Sequence, residues 1–210
     1  MARCLLTCRT GEYMRVINTN IKGFIGYAAL TAAIIFGTFY SAEAQTRQVL
    51  SKAQQITGDS FSFVGRTPRG ARIYAAKRPS SGMLSAIDRG LGDLFAAARR
   101  SGYSRRLNYS EYTIYIARDD NRGSGGPAIA VGSAQYAGTD YDKGGYIFAA
   151  GMVISNNPLA FVIAEHNGDY SRVSNVVRYE GEHLVLYHND RRRYSQTADH
   201  SRGGGHPILK

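Results

Sequence analysis

The protein has 210 residues, of which 43% are apolar and 20% are charged, and a chain of this length can bury a sizeable hydrophobic core. Lys and Arg number 26 against 16 Asp and Glu, and the resulting formal net charge of +10 favours anionic surfaces or polymers as partners. The basic residues are spread over many segments, which argues against a dedicated groove for nucleic acid.

Residues 1–44 have the pattern of a signal peptide. An uncharged, apolar segment over residues 24–40 follows basic residues and precedes Ala42-Glu43-Ala44, which supplies the small residues of a cleavage site. A translation start at Met14 would give this signal an ordinary length. We therefore expect cleavage after Ala44 and a secreted or periplasmic protein. The alternative is an uncleaved membrane anchor, for which the apolar segment is at the lower limit of length.

The chain that remains after cleavage is expected to hold a single domain. Residues 45–60 are polar with weak helical character and are predicted to be a leader segment, and residues 61–210 are predicted to form the domain. Cys4 and Cys8 both precede the cleavage site, so the mature chain forms no disulfide and depends on its core. The loss of four basic and two acidic residues lowers the net charge to +8, and no transmembrane segment remains.

Hydrophobic periodicity and turn residues predict strands and helices in an α+β order. In chain order these are strands over Phe61–Val64 and Arg72–Ala76, a helix over Gly82–Arg100, strands over Tyr112–Ala117, Ala128–Gly132, Tyr146–Ser155 and Leu159–Ala164, and a second helix from Asp169 or Ser171 to about His188. The Pro68-Arg69-Gly70 turn predicts that the first two strands form a hairpin. The last two strands are apolar throughout, as expected of strands covered on both faces. Residues 191–210 are predicted to be irregular.

The second predicted helix carries ionisable residues within an apolar strip. Its core-facing positions at helical spacing are Val173, Val176, Val177, Glu180, Leu184 and Tyr187, with His183 beside them. A charge in such a strip must be paired, coordinated or neutralised. The segment Tyr179-Glu180-Gly181-Glu182-His183 resembles the His-Glu-x-x-His motif of zincin metallopeptidases at every position except the first. The resemblance in motif and element order extends over about residues 112–206.

The zincin resemblance implies a twisted mixed sheet packed on two main helices, with an edge strand that binds extended peptide by strand addition. It also implies that Glu180 is the general base for a water activated by zinc, and that His183 is a zinc ligand. Tyr179 stands where zincins have a histidine, and it either binds zinc as a phenolate or stabilises an oxyanion through its hydroxyl group. The remaining alternative is a degenerate site without metal.

A further zinc ligand is expected downstream of the second helix. His200 and His206 are the candidates, because both lie in a Gly-rich segment that can fold back towards the helix. Asp190 or Asp199 is a candidate acceptor for the other ring nitrogen of a ligand imidazole.

These features predict a secreted or periplasmic zincin-like metallopeptidase, with zinc as cofactor and peptides or proteins as substrates. An alternative from another class is a non-catalytic binding module on a zincin scaffold. A basic nuclease of the HNH type is a third alternative, since residues 199–204 resemble the Asp-His turn of that family. Only four residues follow His206, which leaves no room for the remaining segments of the HNH fold.

Overall fold

The computed structural model of the protein describes residues 44–119, 128–132, 146–197 and 205–210. The described residues from Thr46 onward lie in one compact unit. Residues 1–43 of the predicted signal peptide, and both Asp199 and His200, lie outside the described residues. Within the described ranges, no helix combines the length and the apolar character that a bilayer span requires.

Helices and strands follow one another in an α+β order, which confirms the predicted class. In chain order they are helix α1 (residues 44–57), strands β1 (Phe63–Arg66) and β2 (Arg72–Ala75), helix α2 (Ser81–Arg100), strands β3 (Tyr112–Ala117), β4 (Ile129–Gly132), β5 (Tyr146–Ala149), β6 (Gly151–Asn156) and β7 (Leu159–Ala164), and helices α3 (Tyr170–Asn189) and α4 (Arg191–Thr197). The side chain of Ser80 caps α2 and that of Asp169 caps α3.

The main sheet is mixed and has the strand order β1-β2-β3-β7-β6, while β4 and β5 form a separate hairpin. The three central strands are parallel, and the edge strands β1 and β6 run antiparallel to their neighbours. The amide of Ala164 donates to the carbonyl of Ala150. Because hydrogen-bonded pairs alternate along an antiparallel ladder, the backbone groups of Gly151 and Val153 point away from β7, towards the edge of the described sheet.

The main sheet is covered on both faces, as the apolar runs predict. On β7, Leu159, Phe161 and Ile163 point to the face that packs on α2 and α3. The alternate residues Ala160, Val162 and Ala164 pack on the opposite face with residues from α1 and β4. All six residues of β7 are buried, so this strand has no polar face to reveal its period.

Helices α2 and α3 pack closely because small residues face the partner helix. A Cβ atom on Gly90 of α2 would come within 2.4 Å of the Ser174 carbonyl oxygen of α3. A Cβ atom on Gly181 of α3 would overlap the Leu94 side chain of α2. This close approach fixes the rotation of α3 about its axis, and it therefore sets the direction in which the motif residues point.

Two of the predicted elements are wrong in extent. The expected strand Tyr146–Ser155 is two strands in different sheets, β5 and β6, with a bend at Ala150. Continuous apolar sequence hides this break, because both strands are apolar and only Gly151 interrupts them. The tail after Asp190 is not wholly irregular, since α4 forms where the Asp190 side chain accepts a hydrogen bond from the Arg193 amide.

The segment expected to be a leader, residues 45–60, contains most of α1. Val49 and Ala53 of this helix are buried in the core on the second face of the sheet. Lys52 donates a hydrogen bond to the carbonyl of Ile154 in β6 at 2.8 Å. Part of the expected leader therefore helps to cover the sheet.

Candidate functional site

The motif lies in the middle of α3, where the helix packs against α2 on one side and against β6 and β7 on another. Glu182 and His183 are buried, whereas Tyr179 and Glu180 are half-buried. Gly181 separates the two pairs and contacts Leu94. Four consecutive polar or ionisable side chains surround this glycine, and their burial increases along the motif.

The structure brings His183 together with His206, one of the two downstream candidates. The Nε2 atoms of the two imidazoles are 3.2 Å apart. His206 belongs to the described segment 205–210, which lies against α3 and α4. Leu209 is fully buried in this segment, and the side chains of Arg178 and Arg193 donate to the carbonyls of Leu209 and Ile208.

Glu182 connects the same segment to α3 from inside the core. Its Oε2 atom lies 3.1 Å from the Nδ1 atom of His206 and accepts a hydrogen bond from the Ile208 amide at 2.7 Å. The Nε atom of Arg178 lies 3.5 Å from the Oε1 atom. The Glu182 side chain has no exposed surface, so its charge is balanced by these neighbours and not by solvent.

Tyr179 contacts the imidazole of His206 face to face. The ring centroids are 5.0 Å apart and the ring planes differ by 16°. His183 meets the same imidazole edge-on, with an interplanar angle of 83°. Tyr179, His183 and His206 therefore form one cluster, as the motif predicts for residues that share a site.

Glu180 points to the edge strand β6. A Cβ atom on Gly151 would come within 2.8 Å of the Glu180 Cγ atom, so only glycine leaves room for the side chain at this position. The carboxylate accepts a hydrogen bond from the backbone of Val153. Burial raises the pKa of Glu180 from 4.5 to about 8, and the Val153 hydrogen bond opposes this shift without cancelling it.

The two imidazoles fit zinc at two positions of a tetrahedral site. Ligand nitrogens at about 2.0–2.1 Å from zinc lie about 3.3 Å apart across a tetrahedral angle, and the observed separation of the His183 and His206 Nε2 atoms is 3.2 Å. Among the residues that the structure describes, no group of three or more His, Cys, Asp or Glu side chains is arranged to hold a metal ion. A third protein ligand would therefore be Tyr179 or a residue outside the described ranges, such as His200.

The site contains one residue that the sequence did not single out. Glu182, and not Asp190, is the carboxylate next to a candidate ligand imidazole. Asp190 instead caps α4 and accepts from the Tyr103 hydroxyl, and hydrogen bonds from the Arg193 backbone and from Tyr103 help to hold its pKa below the ordinary value. In the motif Glu182 occupies an unspecified position, so only its distant partners reveal its role.

Comparisons of the chain with models of known protein families, with curated proteins and with solved structures found no match. We therefore base the functional proposal on the geometry of this chain and on its resemblance to the zincin motif.

Proposed function

We propose that the protein is a secreted or periplasmic zincin-like metallopeptidase, in which His183 and His206 bind zinc and Glu180 is the general base. The observation that carries this proposal is the 3.2 Å separation of the two Nε2 atoms, one from the motif and one from a segment 23 residues later. Two imidazoles that converge from distant parts of the chain are typical of metal sites. The Glu182 carboxylate at the other nitrogen of His206 is the arrangement that supports ligand histidines.

The surroundings of Glu180 support its role as a base. A general base is most effective when its pKa lies near the working pH, and burial raises the pKa of Glu180 to about 8. Its carboxylate lies on β6, the strand next to which an extended peptide would lie in a zincin. Zinc, when bound, would act as a Lewis acid and lower the pKa of water. Glu180 would accept the proton of the attacking water and return it to the leaving amine.

The order of the elements also supports a zincin scaffold. The antiparallel edge strand β6 comes directly before the central strand β7, and β7 leads into the helix that carries the motif. The helix then packs against both strands. This places the motif beneath the edge of a mixed sheet, as the resemblance implies, and it favours peptides or proteins as the substrate class.

A non-catalytic binding module on the same scaffold is the second candidate function. Tyr179 favours it, because a phenol must lose a proton to bind zinc whereas a neutral imidazole need not. In the binding module, Tyr179 would only pack on His206, as the stacked rings show in this structure. The two functions differ in what they require of zinc and of Glu180.

Zinc binding is the first test of the proposal. We expect the purified protein to bind zinc weakly, and His183→Ala to abolish this binding in calorimetric titration. Tyr179→His should increase the affinity, because it restores the missing imidazole of the motif. A Tyr179→His protein that binds no more zinc than the wild type would show that position 179 is not a ligand position.

Hydrolysis of peptides is the second test. Glu180→Gln keeps the shape of the side chain but removes the base, so kcat should fall by about 10² to 10⁴. Glu111→Gln is a suitable control, because Glu111 pairs with Arg106 at the surface and should leave kcat unchanged. In a binding module, Glu180→Gln would leave peptide affinity intact. Peptide hydrolysis by the wild type that Glu180→Gln does not reduce would refute the assigned base.

The export of the protein is a separate part of the proposal, and it is based on residues 24–40 and the Ala42-Glu43-Ala44 site. N-terminal sequencing of the protein recovered from the periplasm or medium should begin at Gln45. Recovery from the membrane fraction with residues 24–40 still attached would contradict cleavage. We propose anionic surfaces or polymers as secondary partners, because of the basic net charge.

A further inference from the structure

We infer that Glu182 is a positioning residue, which holds His206 in the tautomer that carries its proton on Nδ1 and thereby presents the bare Nε2 atom to His183. The role of His206 as a ligand rests on the proposed function. The tautomer itself does not, because it follows from the contacts of Glu182 in the protein as it stands.

The first step is the chemistry of the Glu182 oxygen. The Oε2 atom receives the Ile208 amide at 2.7 Å, and a backbone amide can only donate. The same oxygen lies 3.1 Å from the Nδ1 atom of His206. With the Arg178 guanidinium beside the other oxygen, the carboxylate acts as an acceptor in both contacts. The Nδ1 atom of His206 is therefore the donor and carries the proton.

The second step concerns the two facing imidazoles. A neutral His206 with its proton on Nδ1 has a lone pair on Nε2, and this atom can accept a hydrogen bond or bind a metal. The Nε2 atom of His183, 3.2 Å away, must then be the donor in the metal-free protein. Binding of one metal ion by both Nε2 atoms would require the His183 proton to move to Nδ1, whereas the His206 tautomer would not change.

The third step separates positioning from anchoring. The segment 205–210 is also held by the Arg193 side chain, which donates to the Ile208 carbonyl at 2.6 Å, and by the buried Leu209 side chain. These contacts fix the segment without touching the imidazole of His206. Glu182 is the residue that contacts both the backbone of the segment and its histidine, so a change at Arg193 provides a matched control.

The decisive measurement is the ¹⁵N spectrum of the His206 imidazole in metal-free protein, assigned with a His206→Gln variant. We expect one tautomer with the proton on Nδ1 in the wild type and in Arg193→Ala. Glu182→Gln replaces a charged acceptor by a weaker amide, so the proton should be shared between both nitrogens in this variant. A wild-type His206 that is protonated at Nε2 would overturn the inference, and this result needs no variant to fold.

Zinc affinity tests whether the tautomer matters for binding. Glu182→Gln should weaken zinc binding by about 10- to 100-fold, as is typical for a residue that supports a ligand histidine. Arg193→Ala should weaken it by much less. An equal loss in both variants would show that Glu182 is only an anchor. If the wild type binds no zinc, the proposed function fails, and the ¹⁵N spectrum still decides the role of Glu182.

Discussion

Helices α2 and α3 have the same length of 20 residues and pack against each other, yet they differ in what they bury. The buried ionisable residue of α2 is Asp88, which accepts a hydrogen bond from the Arg69 amide and so ties down the turn between β1 and β2. In the middle of α3, Glu182 and His183 are buried together, and their described partners include the distant His206. One helix buries a carboxylate for a local turn, and the other buries a cluster that joins remote parts of the chain.

The difference shows which polar residues stability alone explains. A single carboxylate bound to one backbone amide is an ordinary structural device. A buried carboxylate with two imidazoles and a guanidinium is different, because a set of well-packed apolar residues would often be equally stable. The cluster on α3 therefore calls for a functional reason, whereas Asp88 does not.

The comparison is tested most strongly by removing each buried carboxylate. Glu182→Ala should lower the free energy of unfolding by about 3–5 kcal/mol, because it leaves Arg178 and the Ile208 amide without their buried acceptor. Asp88→Ala should cost about 1–3 kcal/mol, since it loses one hydrogen bond of the Arg69 amide. Urea denaturation of both variants measures the difference. Equal losses would mean that the two carboxylates are equivalent structural groups.

The interface that the helices share should be sensitive at one glycine of α2 and tolerant at another. Gly90→Ala should destabilise the protein by about 3 kcal/mol, because the new methyl group meets the Ser174 carbonyl, which cannot move aside without shifting α3. Gly92 faces only the ends of the Tyr109 and Arg69 side chains, so Gly92→Ala should be neutral or stabilise by up to about 1 kcal/mol. Thermal unfolding distinguishes the two variants, and a tolerated Gly90→Ala would show that α2 and α3 are less tightly packed than described.

The smallest effect expected is the pH dependence contributed by Glu180 in the metal-free protein. Its pKa of about 8 lies above the ordinary value of 4.5, so between these values the folded state binds more protons than the unfolded state. The resulting stabilisation is fully present below about pH 4.5 and is lost as the pH rises to about 8. We expect about 1–2 kcal/mol, less than a fully buried group would give, because Glu180 is only half-buried.

Glu180→Gln should remove this decrease between pH 5 and pH 8, whereas Gly92→Ala should retain it. Urea denaturation at a series of pH values provides the measurement. If Glu180→Gln has the same pH profile as the wild type, another group is responsible for the slope.

Local patterns in the sequence predicted those elements whose signals are complete within a few residues. The bounds of β3 and β7 agree with the prediction, and α2 begins one residue earlier than expected, at Ser81. Asp169, one of the two expected caps, does begin α3. The division between β5 and β6 was missed, because it depends on which sheet each strand joins and not on its own composition.

The site was predicted to the extent that the motif is local. Glu180 and His183 stand out because they interrupt an apolar strip, and His206 stands out because a ligand was sought downstream. Glu182 was missed, since its partners His206 and Ile208 are 24 and 26 residues away and no spacing rule connects them. The zincin interpretation remains a proposal.

The edge position of β6 also has a consequence for association between molecules. An open strand edge is a template for intermolecular β-sheet and hence for aggregation. In this protein, side chains occupy the backbone of β6: Lys52 binds the Ile154 carbonyl, His188 lies 2.7 Å from the Asn156 carbonyl, and Glu180 accepts from Val153. A register shift between Val153 and Ser155 further bends the edge. Any extended chain, whether a misfolded neighbour or a peptide, must displace these side chains before it can pair with β6.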